Sequence, residues 1–499
     1  MALQIDENLV RSIVSEVVRN ITAGTAAGAA AAAPAAAPSA LQPFSPSVLS
    51  TSPSALSSHG IFQDVPSAAA AAQKGFEQLR AKGVAARKQV IDIVKKLAVA
   101  NADAWGKFEF EETKIGRLEH KIGKLHLVPL VPGVEWIRPY ALSGDHGLMH
   151  EEYTPFGVVA AILPVTHSVP TLSGNIINAI AAGNSILFNP HPGGARSAAL
   201  AIRAYNQAIQ TATGIENLIC TIEKPTLESF DALCKSPLVN LLVVTGGPGV
   251  VNAAMKSGKR AICAGPGNPP VLVDDTVCTD KAAKDIIYGC GFDNNLLCIG
   301  EKQVFVLDRV ANALIRSMEK AGAVRLLPAQ VEKLAREVFT MKPDAGGCSH
   351  PVLNRELVGK NANVLASRVG LNLPEATPIL IGETDADHPF VMEEQMMPML
   401  PIVRVKTVEE GIALAKKSEH GYKHSSIIHS LNVDRMTEMA RTMDTTLFVK
   451  NGPSTTGLGL DGEGYLSYSI ATTTGEGITN PQTFTRTRRC VLVDALKIY

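Results

Sequence analysis

The stretch LVNLLVVTGGPGVVNAAMKSG, residues 238–258, runs from an apolar, β-branched segment through three glycines into a segment with helical spacing. A short apolar run closed by glycine suits a strand buried on both faces, and strand, turn, helix is the opening of a βαβ unit. On its N-terminal side, GVVAAILPVT (157–166) and GNSILFNPHP (183–192) are two more such runs, each ended by proline. Between them TLSGNIINAIAAG (171–183) reads as a helix that Gly183 caps. Strands alternating with helices predict an α/β fold, a parallel sheet with helices on both faces. Residues 68–113 upstream read as two helices. The turn VVTGGPGVV (243–251) admits two readings. Glycines at a helix N-terminus let a phosphate approach exposed N–H groups, but these are spaced too closely for G-x-G-x-x-G and equally suit a structural turn.

Bulk properties narrow the function classes. The chain has 499 residues, enough for two or three domains, with 46% hydrophobic and 19% charged residues. Lys plus Arg and Asp plus Glu are both 47, so nothing predicts attraction to nucleic acid or to an anionic membrane. No run of apolar residues is long enough to span a bilayer. The eight cysteines form neither a C-x-x-C pair nor a Cys/His cluster at zinc spacing, so no metal site is expected. They read as reduced thiols of a cytosolic protein.

Residues 1–21 stand apart. Ile5, Leu9, Val10, Ile13, Val14, Val17, Val18 and Ile21 share one face of a helix, and Asp6, Glu7, Arg11, Glu16 and Arg19 occupy the other. Residues 22–60, built from Ala, Pro, Ser and Gly, read as a disordered linker. An amphipathic helix on such a tether must dock its apolar face, either back onto the parent chain or, the favoured reading, into a groove of another protein. Its acidic residues speak against a transit peptide, and it lacks the basic face of a membrane-surface helix.

Further along, AICAGPGNPPVLVDD (261–275) is a second Gly/Pro turn leading into a strand. In DIIYGCGFDNNLLCIGEKQVFVLD (285–308) a helix ends near DNN and a strand starts at QVFVLD, which leaves Cys298 in the connection. There neighbouring N–H groups could lower its pKa and hold an oxyanion. Cys290 reads as a packing residue and Cys263 as a small turn residue. His120, His126, His424 and His429 have no readable partner.

Seven motifs occur in one order: PFGVVAAILPVTHSVPTLSGN, AAGNSILFNPHP, VVTGGPGVV, AGPGNPPVLVDD, DNNLLCIGEK, MEEQMMPMLPIV and LFVKNGPSTTGLGLDGEG. Together they make the chain from about residue 61 resemble the aldehyde dehydrogenase superfamily. Within it the pattern is similar to the CoA-acylating enzymes, and especially to the propionaldehyde dehydrogenases of bacterial microcompartments. The resemblance implies an α/β, aldehyde dehydrogenase-like fold with a Rossmann-like NAD-binding domain, an α/β catalytic domain and a β-arm for oligomerisation. The implied layout is residues 1–21 as encapsulation helix, 22–60 as linker, 61–262 as NAD-binding domain with part of the arm near 136–153, and 263–450 as catalytic domain. Residues 451–499 would return to the NAD-binding domain and complete the arm. A homo-oligomer, dimer or tetramer, is implied.

By position, Cys298 matches the family nucleophile and Glu394 the residue that holds the nicotinamide-side ribose, with Met396 beside it. Thr245, Gly246 and Gly247 match the pyrophosphate turn, Asn189 and Pro190 the strand at the adenosine end, and Thr166, Cys263, Ala264 and Gly265 further cofactor contacts. His167 stands where the family has its oxyanion asparagine; it could donate a hydrogen bond or simply pack. Cys263 stands where hydrolytic relatives carry a general-base glutamate, and without a carboxylate water is poorly activated against a thioester. The place of a lysine that would favour a 2′-phosphate is taken by Asn189, which favours NAD. The implied activity turns a short aldehyde, NAD and CoA into acyl-CoA and NADH. Residues 1–21 would bind shell protein, placing the enzyme in a microcompartment of a bacterial cytoplasm.

Overall fold

The computed structural model of the chain describes residues 59–343 and 349–494. The expected N-terminal helix and nearly all of its linker lie outside these residues. The first sheet is built from β1 (Ile61–Phe62), β4 (Val158–Leu163), β5 (Ser185–Pro190), β6 (Ile219–Ile222), β7 (Val239–Thr245) and β8 (Arg260–Ala264). Its order is β1-β6-β5-β4-β7-β8 and every pairing is parallel. All six residues of β4 and all six of β5 are buried, as the unbroken apolar runs require of strands covered on both faces. Between the first strands of the sheet the chain forms β2 (Tyr140–Gly144) and β3 (Gly147–Pro155), an antiparallel hairpin.

Helices cover both faces of this sheet. α1 (Val65–Ala100), α2 (Ala102–Thr113) and α3 (Leu118–His126) come first, then α4 (Ser168–Ala182), α5 (Ala195–Thr213), α6 (Leu227–Lys235) and α7 (Pro248–Lys256). Two helices were expected over residues 68–113; the chain makes three rods. Gly83 interrupts α1 with φ 74°, a conformation that costs glycine nothing, and a second break falls at Asn101. α4 is buried along its whole length, and Gly183 closes it in the left-handed conformation expected of a C-cap.

β9 (Pro270–Val273) starts only six residues after β8 ends and belongs to a second sheet. That sheet adds β10 (Gln303–Leu307), β11 (Val324–Arg325), β14 (Leu380–Glu383), β15 (Met399–Val405), β16 (Ser425–His429) and β17 (Leu447–Lys450). Its order, β11-β14-β15-β10-β9-β16-β17, is again wholly parallel. β12 (Phe339–Pro343) and β13 (Ser349–Leu353) form a separate antiparallel pair. The chain then returns to the first sheet through β18 (Ile470–Ala471) and β19 (Gly477–Ile478). It ends in β20 (Thr485–Val493), which pairs with β3 over nine residues to complete a three-stranded antiparallel arm.

This topology sets the site. In the first sheet the chain leaves β4 toward β5 and β6, then crosses back to β7 and β8 on the other side of β4. Ligands of such open sheets bind beyond the carboxyl ends of the strands at that reversal. The segments entering β9, β10 and β15 approach the same place from the second sheet. One sheet presents its carboxyl ends and the other its amino ends to a shared space.

Candidate active site

A cavity of about 340 Å³ occupies that space. From the first sheet, Thr166 and His167 follow β4, Thr245 ends β7 with Gly246 and Gly247 after it, and Ala264 ends β8 with Gly265 after it. From the second, Cys298 lies before β10, and Glu394 and Met396 lie before β15. The structure thus brings these ten together from segments 230 residues apart in sequence. It does not bring in the other three. Asn189 and Pro190 end β5, one strand over, where Asn189 Oδ1 accepts from Ser229 Oγ at 2.6 Å. Cys263 turns its fully buried side chain into the core on the far face of the first sheet, because alternate residues of β8 face opposite ways. The expectation of a cofactor contact from its side chain is corrected on that ground.

Cys298 is partly exposed to the cavity. Burial is the main cause that pushes its thiol up to about 12, with the Glu394 carboxylate acting the same way. Lys302 and the N–H groups of Cys298 and Ile299 pull in the opposite direction. Cys290 is fully buried in the apolar core of the second sheet, where burial drives its thiol well above the usual range. It does not reach the cavity.

Three consecutive residues ahead of Cys298, Asp293, Asn294 and Asn295, hold φ of 49°, 55° and 61°. Left-handed backbone costs a non-glycine residue about 1–2 kcal/mol, least for Asp and Asn, whose side chains can bond locally. Here each side chain is fully buried and pinned. Asp293 accepts from Lys124 Nζ at 2.6 Å and from the Arg117 N–H at 2.9 Å. Asn294 donates to Asn361 Oδ1 at 2.7 Å and to the Gly359 carbonyl at 2.9 Å, and accepts from Arg117 Nε at 2.8 Å. Asn295 donates to the Glu301 carbonyl at 3.0 Å. Burial works against ionising Asp293, yet Lys124, Lys121 and the Arg117 N–H hold its carboxyl below the usual range. Gly267 is required across the loop, since a Cβ there would stand 2.7 Å from the Cys298 carbonyl oxygen and 2.8 Å from the His424 ring.

His167 occupies the N-cap position of α4 but makes no side-chain cap bond. That work falls to Glu109, a buried carboxylate accepting from the N–H groups of Ser168 and Val169 at 3.0 and 3.1 Å and pairing with Lys121. His167 Nδ1 is buried without a hydrogen-bond partner. Burial, then the nearby Lys124 and Lys121 ammonium groups, push its pKa down to about 3, so the imidazole is neutral at ordinary pH. A neutral ring can donate one N–H into the cavity.

Glu394 is the one carboxylate on the cavity wall among the described residues, and accepts from the Gly267 N–H. The rest of the wall is largely aliphatic, with Leu127, Leu297, Leu458 and Leu460 among its residues. At the far rim α7 begins with Gly247 as N-cap, with no side-chain cap and no acid in its first turn. A Cβ at Gly247 or Gly249 would meet nothing within 4 Å. This open cradle of backbone N–H groups fits a dinucleotide diphosphate.

Sequence reasoning missed four neighbours: Lys124 on the wall, Lys302 and Glu301 behind Cys298, and the buried His424. The pair EK at positions 301 and 302, charged residues entering an apolar strand, was the available signal for two of them. Nothing local distinguishes Lys124 or His424.

Comparison with known proteins places this geometry. The sequence model of the aldehyde dehydrogenase family matches residues 39–333. The chain is 45% identical over 441 residues to the acetaldehyde dehydrogenase (acetylating) EutE of Salmonella typhimurium, covering 88% of this chain and 93% of that protein. The solved propionaldehyde dehydrogenase of Rhodopseudomonas palustris, with bound CoA and an acylated cysteine, superposes with a TM-score of 0.85 at 41% identity, over 89% of this chain and 100% of the other. A propionaldehyde dehydrogenase from the fucose utilisation microcompartment of Clostridium phytofermentans gives 0.84 at 42% identity, over 88% and 100%.

Proposed function

The chain belongs to the aldehyde dehydrogenase family, in its CoA-acylating branch, and from that premise we propose that it converts propionaldehyde, NAD and CoA to propionyl-CoA and NADH through a thioester on Cys298. The observation that carries the reading is the cavity wall itself: a thiol on a pinned loop, aliphatic neighbours, and Glu394 as its single carboxylate. With Cys263 turned into the core where a hydrolytic enzyme would need a base, the acyl group waits for a second thiol instead of water.

Cys298 loses its proton to cavity water and its sulfur bonds the aldehyde carbon. The resulting oxyanion is held by the Cys298 N–H and the neutral His167 imidazole, each donor contributing about 3–4 kcal/mol to the transition state. NAD, when bound, supplies the hydride acceptor. Gly246, Gly247 and the α7 N-terminus would hold its diphosphate and Glu394 its nicotinamide-side ribose. The acyl group leaves Cys298 for the CoA sulfur, the thiol proton of CoA passes to Cys298, and thiol-for-thiol exchange conserves the high-energy bond. The domain roles follow: residues 61–262 bind NAD, 263–450 carry the chemistry, and 451–499 complete the cavity and, with the β2–β3 hairpin, an arm for homo-oligomerisation.

A second reading, acetaldehyde as preferred substrate, is favoured by the higher identity to the acetylating relative. Initial rates with acetaldehyde, propionaldehyde and butyraldehyde, with and without CoA, test both. The highest kcat/KM with propionaldehyde and NADH formation dependent on CoA support the first; the same dependence with acetaldehyde best supports the second; CoA-independent release of free acid refutes both. Residues 1–21 are the proposed tether to microcompartment shell protein in the bacterial cytoplasm. Deleting them leaves specific activity intact and abolishes co-purification with shells; retained co-purification refutes the role.

A further inference from the structure

Lys302 is fully buried, and no step above uses it. Its Nζ donates to the Asn295 carbonyl at 2.7 Å, Asn295 Oδ1 at 2.8 Å and the Leu297 carbonyl at 3.1 Å. Those three oxygens belong to the loop that ends in Cys298. The backbone of Lys302 is fixed as well, its N–H on the Pro269 carbonyl at 3.0 Å and its carbonyl accepting from Gln395 Nε2 at 3.0 Å. One side chain therefore ties the nucleophile loop to the segments carrying Gly267 and Glu394.

All three partners of the ammonium are neutral. Burial pushes the pKa of this ammonium down, and the facing Glu394 carboxylate is the first group to oppose that, so the buried charge is costly and gains further from a second anion formed beside it. The titratable groups facing Lys302 are Glu394, Cys290, Cys298 and Glu301, with His424 opposing it. Of these, Glu394 accepts from the Gly267 N–H, and Glu301 accepts from the Ser454 N–H and hydroxyl, both at 2.8 Å. Cys290 is sealed in the core. The sulfur of Cys298 is the group there that must become an anion during turnover, and it does so twice.

We propose that Lys302 is the positioning residue of the nucleophile, clamping the Cys298 loop through three carbonyl oxygens and supplying the positive charge against which the sulfur carries its negative charge. When aldehyde is attacked, the S–H bond breaks, the proton goes to cavity water and the S–C bond forms. When CoA takes the acyl group, that S–C bond breaks, its electron pair returns to sulfur, and the proton released by the CoA thiol follows. Both events pass through sulfur anion facing the same ammonium, so Lys302 acts on acylation and on discharge alike. This rests on Cys298 being the nucleophile.

The test is the pH dependence of Cys298 alkylation by iodoacetamide, read on its own peptide by mass spectrometry, in wild type, Lys302→Gln and Lys302→Arg. Gln keeps N–H donors for the clamp without charge; Arg keeps the charge. In K302Q the alkylation profile moves to higher pH by about one unit, tenfold in rate on its rising limb. Its kcat falls with the aldehyde KM unchanged, and discharge of acyl-enzyme by CoA slows in parallel. In K302R the profile stays near that of wild type. Coincident profiles for wild type and a K302Q that melts cooperatively overturn the proposal. So does an Arg profile displaced from wild type by about one unit or more, since geometry and not charge would then govern the sulfur; read against wild type alone, this arm decides the matter if K302Q fails to fold. Wild-type activity surviving in Cys298→Ala would sink the proposed function instead, a distinct result.

Discussion

Two turns face each other across the cavity, and they are built on opposite principles. The turn that closes β7, Thr245–Gly247, is nearly bare: Gly247 is exposed, a Cβ there would touch nothing, and α7 starts without a side-chain cap. The loop before Cys298 places three left-handed, non-glycine residues in succession and fastens each through buried hydrogen bonds. The difference follows from what each turn has to hold. On the proposed roles, a ligand that enters and leaves needs backbone N–H groups left open to it, whereas a nucleophile that forms and later breaks one S–C bond needs a fixed position, because effective concentration falls steeply with misplacement. The first turn spends structure on access, the second on rigidity. Changes in the second should therefore cost chemistry or stability, and changes in the first should cost affinity alone.

The largest effect expected is at the sulfur. Cys298→Ala removes NADH formation by about 10⁴-fold or more, as loss of a covalent nucleophile does elsewhere. Cys290→Ala, eight residues away and sealed in the core, should keep kcat within a small factor and lose about 1–2 kcal/mol of stability for the cavity left behind. Steady-state rates and thermal melts of the two variants check the pair. A Cys290 variant as inactive as the Cys298 variant would break the comparison at its root.

Next comes the pin under the loop. Asp293→Asn keeps the left-handed preference and the shape but leaves Lys124 buried without its anion. A broken buried pair costs about 3–5 kcal/mol, which urea unfolding reads directly. A loss under about 1 kcal/mol would mean that the strained triplet holds itself and the ion pair is incidental.

Smaller still is the response of Glu301. Burial raises its carboxyl to about 7 from an ordinary 4.5, against the opposing Ser454 bonds and Lys302. With the folded pKa above the unfolded one, the folded state binds the extra proton between these values. Stability therefore falls as pH rises from about 4.5 through 7 by an amount of up to about 3 kcal/mol. Glu301→Gln should flatten that part of the stability profile in melts from pH 5 to 8. A wild-type profile that is already flat would show Glu301 ionised throughout.

The glycine turn was legible in the sequence because its chemistry is local: three glycines between an apolar strand and a helix are a pattern within nine residues. Cys298 was legible for the same reason, lying in a short connection with a recognisable flank. What holds Cys298 was not. Lys124 reaches Asp293 across 169 positions, and Arg117 reaches Asn294 across 177, so no window of sequence contains both partners. Cys263 shows the converse failure. Its position in the motif suggested the cavity, and the alternation of side chains along β8 sent it to the other face. The meeting of carboxyl strand ends from one sheet with amino strand ends from the other was equally hidden, because strand order is a property of long-range pairing.

The smallest expected effect lies on the bare turn. Gly247 has φ −66° and ψ 166°, a conformation open to any residue, and empty space where a Cβ would go. Gly247→Ala should therefore leave the melting transition within about 0.5 kcal/mol of wild type, as at other positions without contacts. If the N–H groups of this turn take the NAD diphosphate, a methyl group there stands in the path of the phosphate oxygens. KM for NAD should then rise several-fold while kcat at saturating NAD stays put, the signature of lost uniform binding. The same substitution raising KM for CoA in step would mean that both co-substrates seat on this turn in succession. A Gly247→Ala enzyme with unchanged KM for both would leave the turn a structural one, the reading its glycine spacing admits when taken alone.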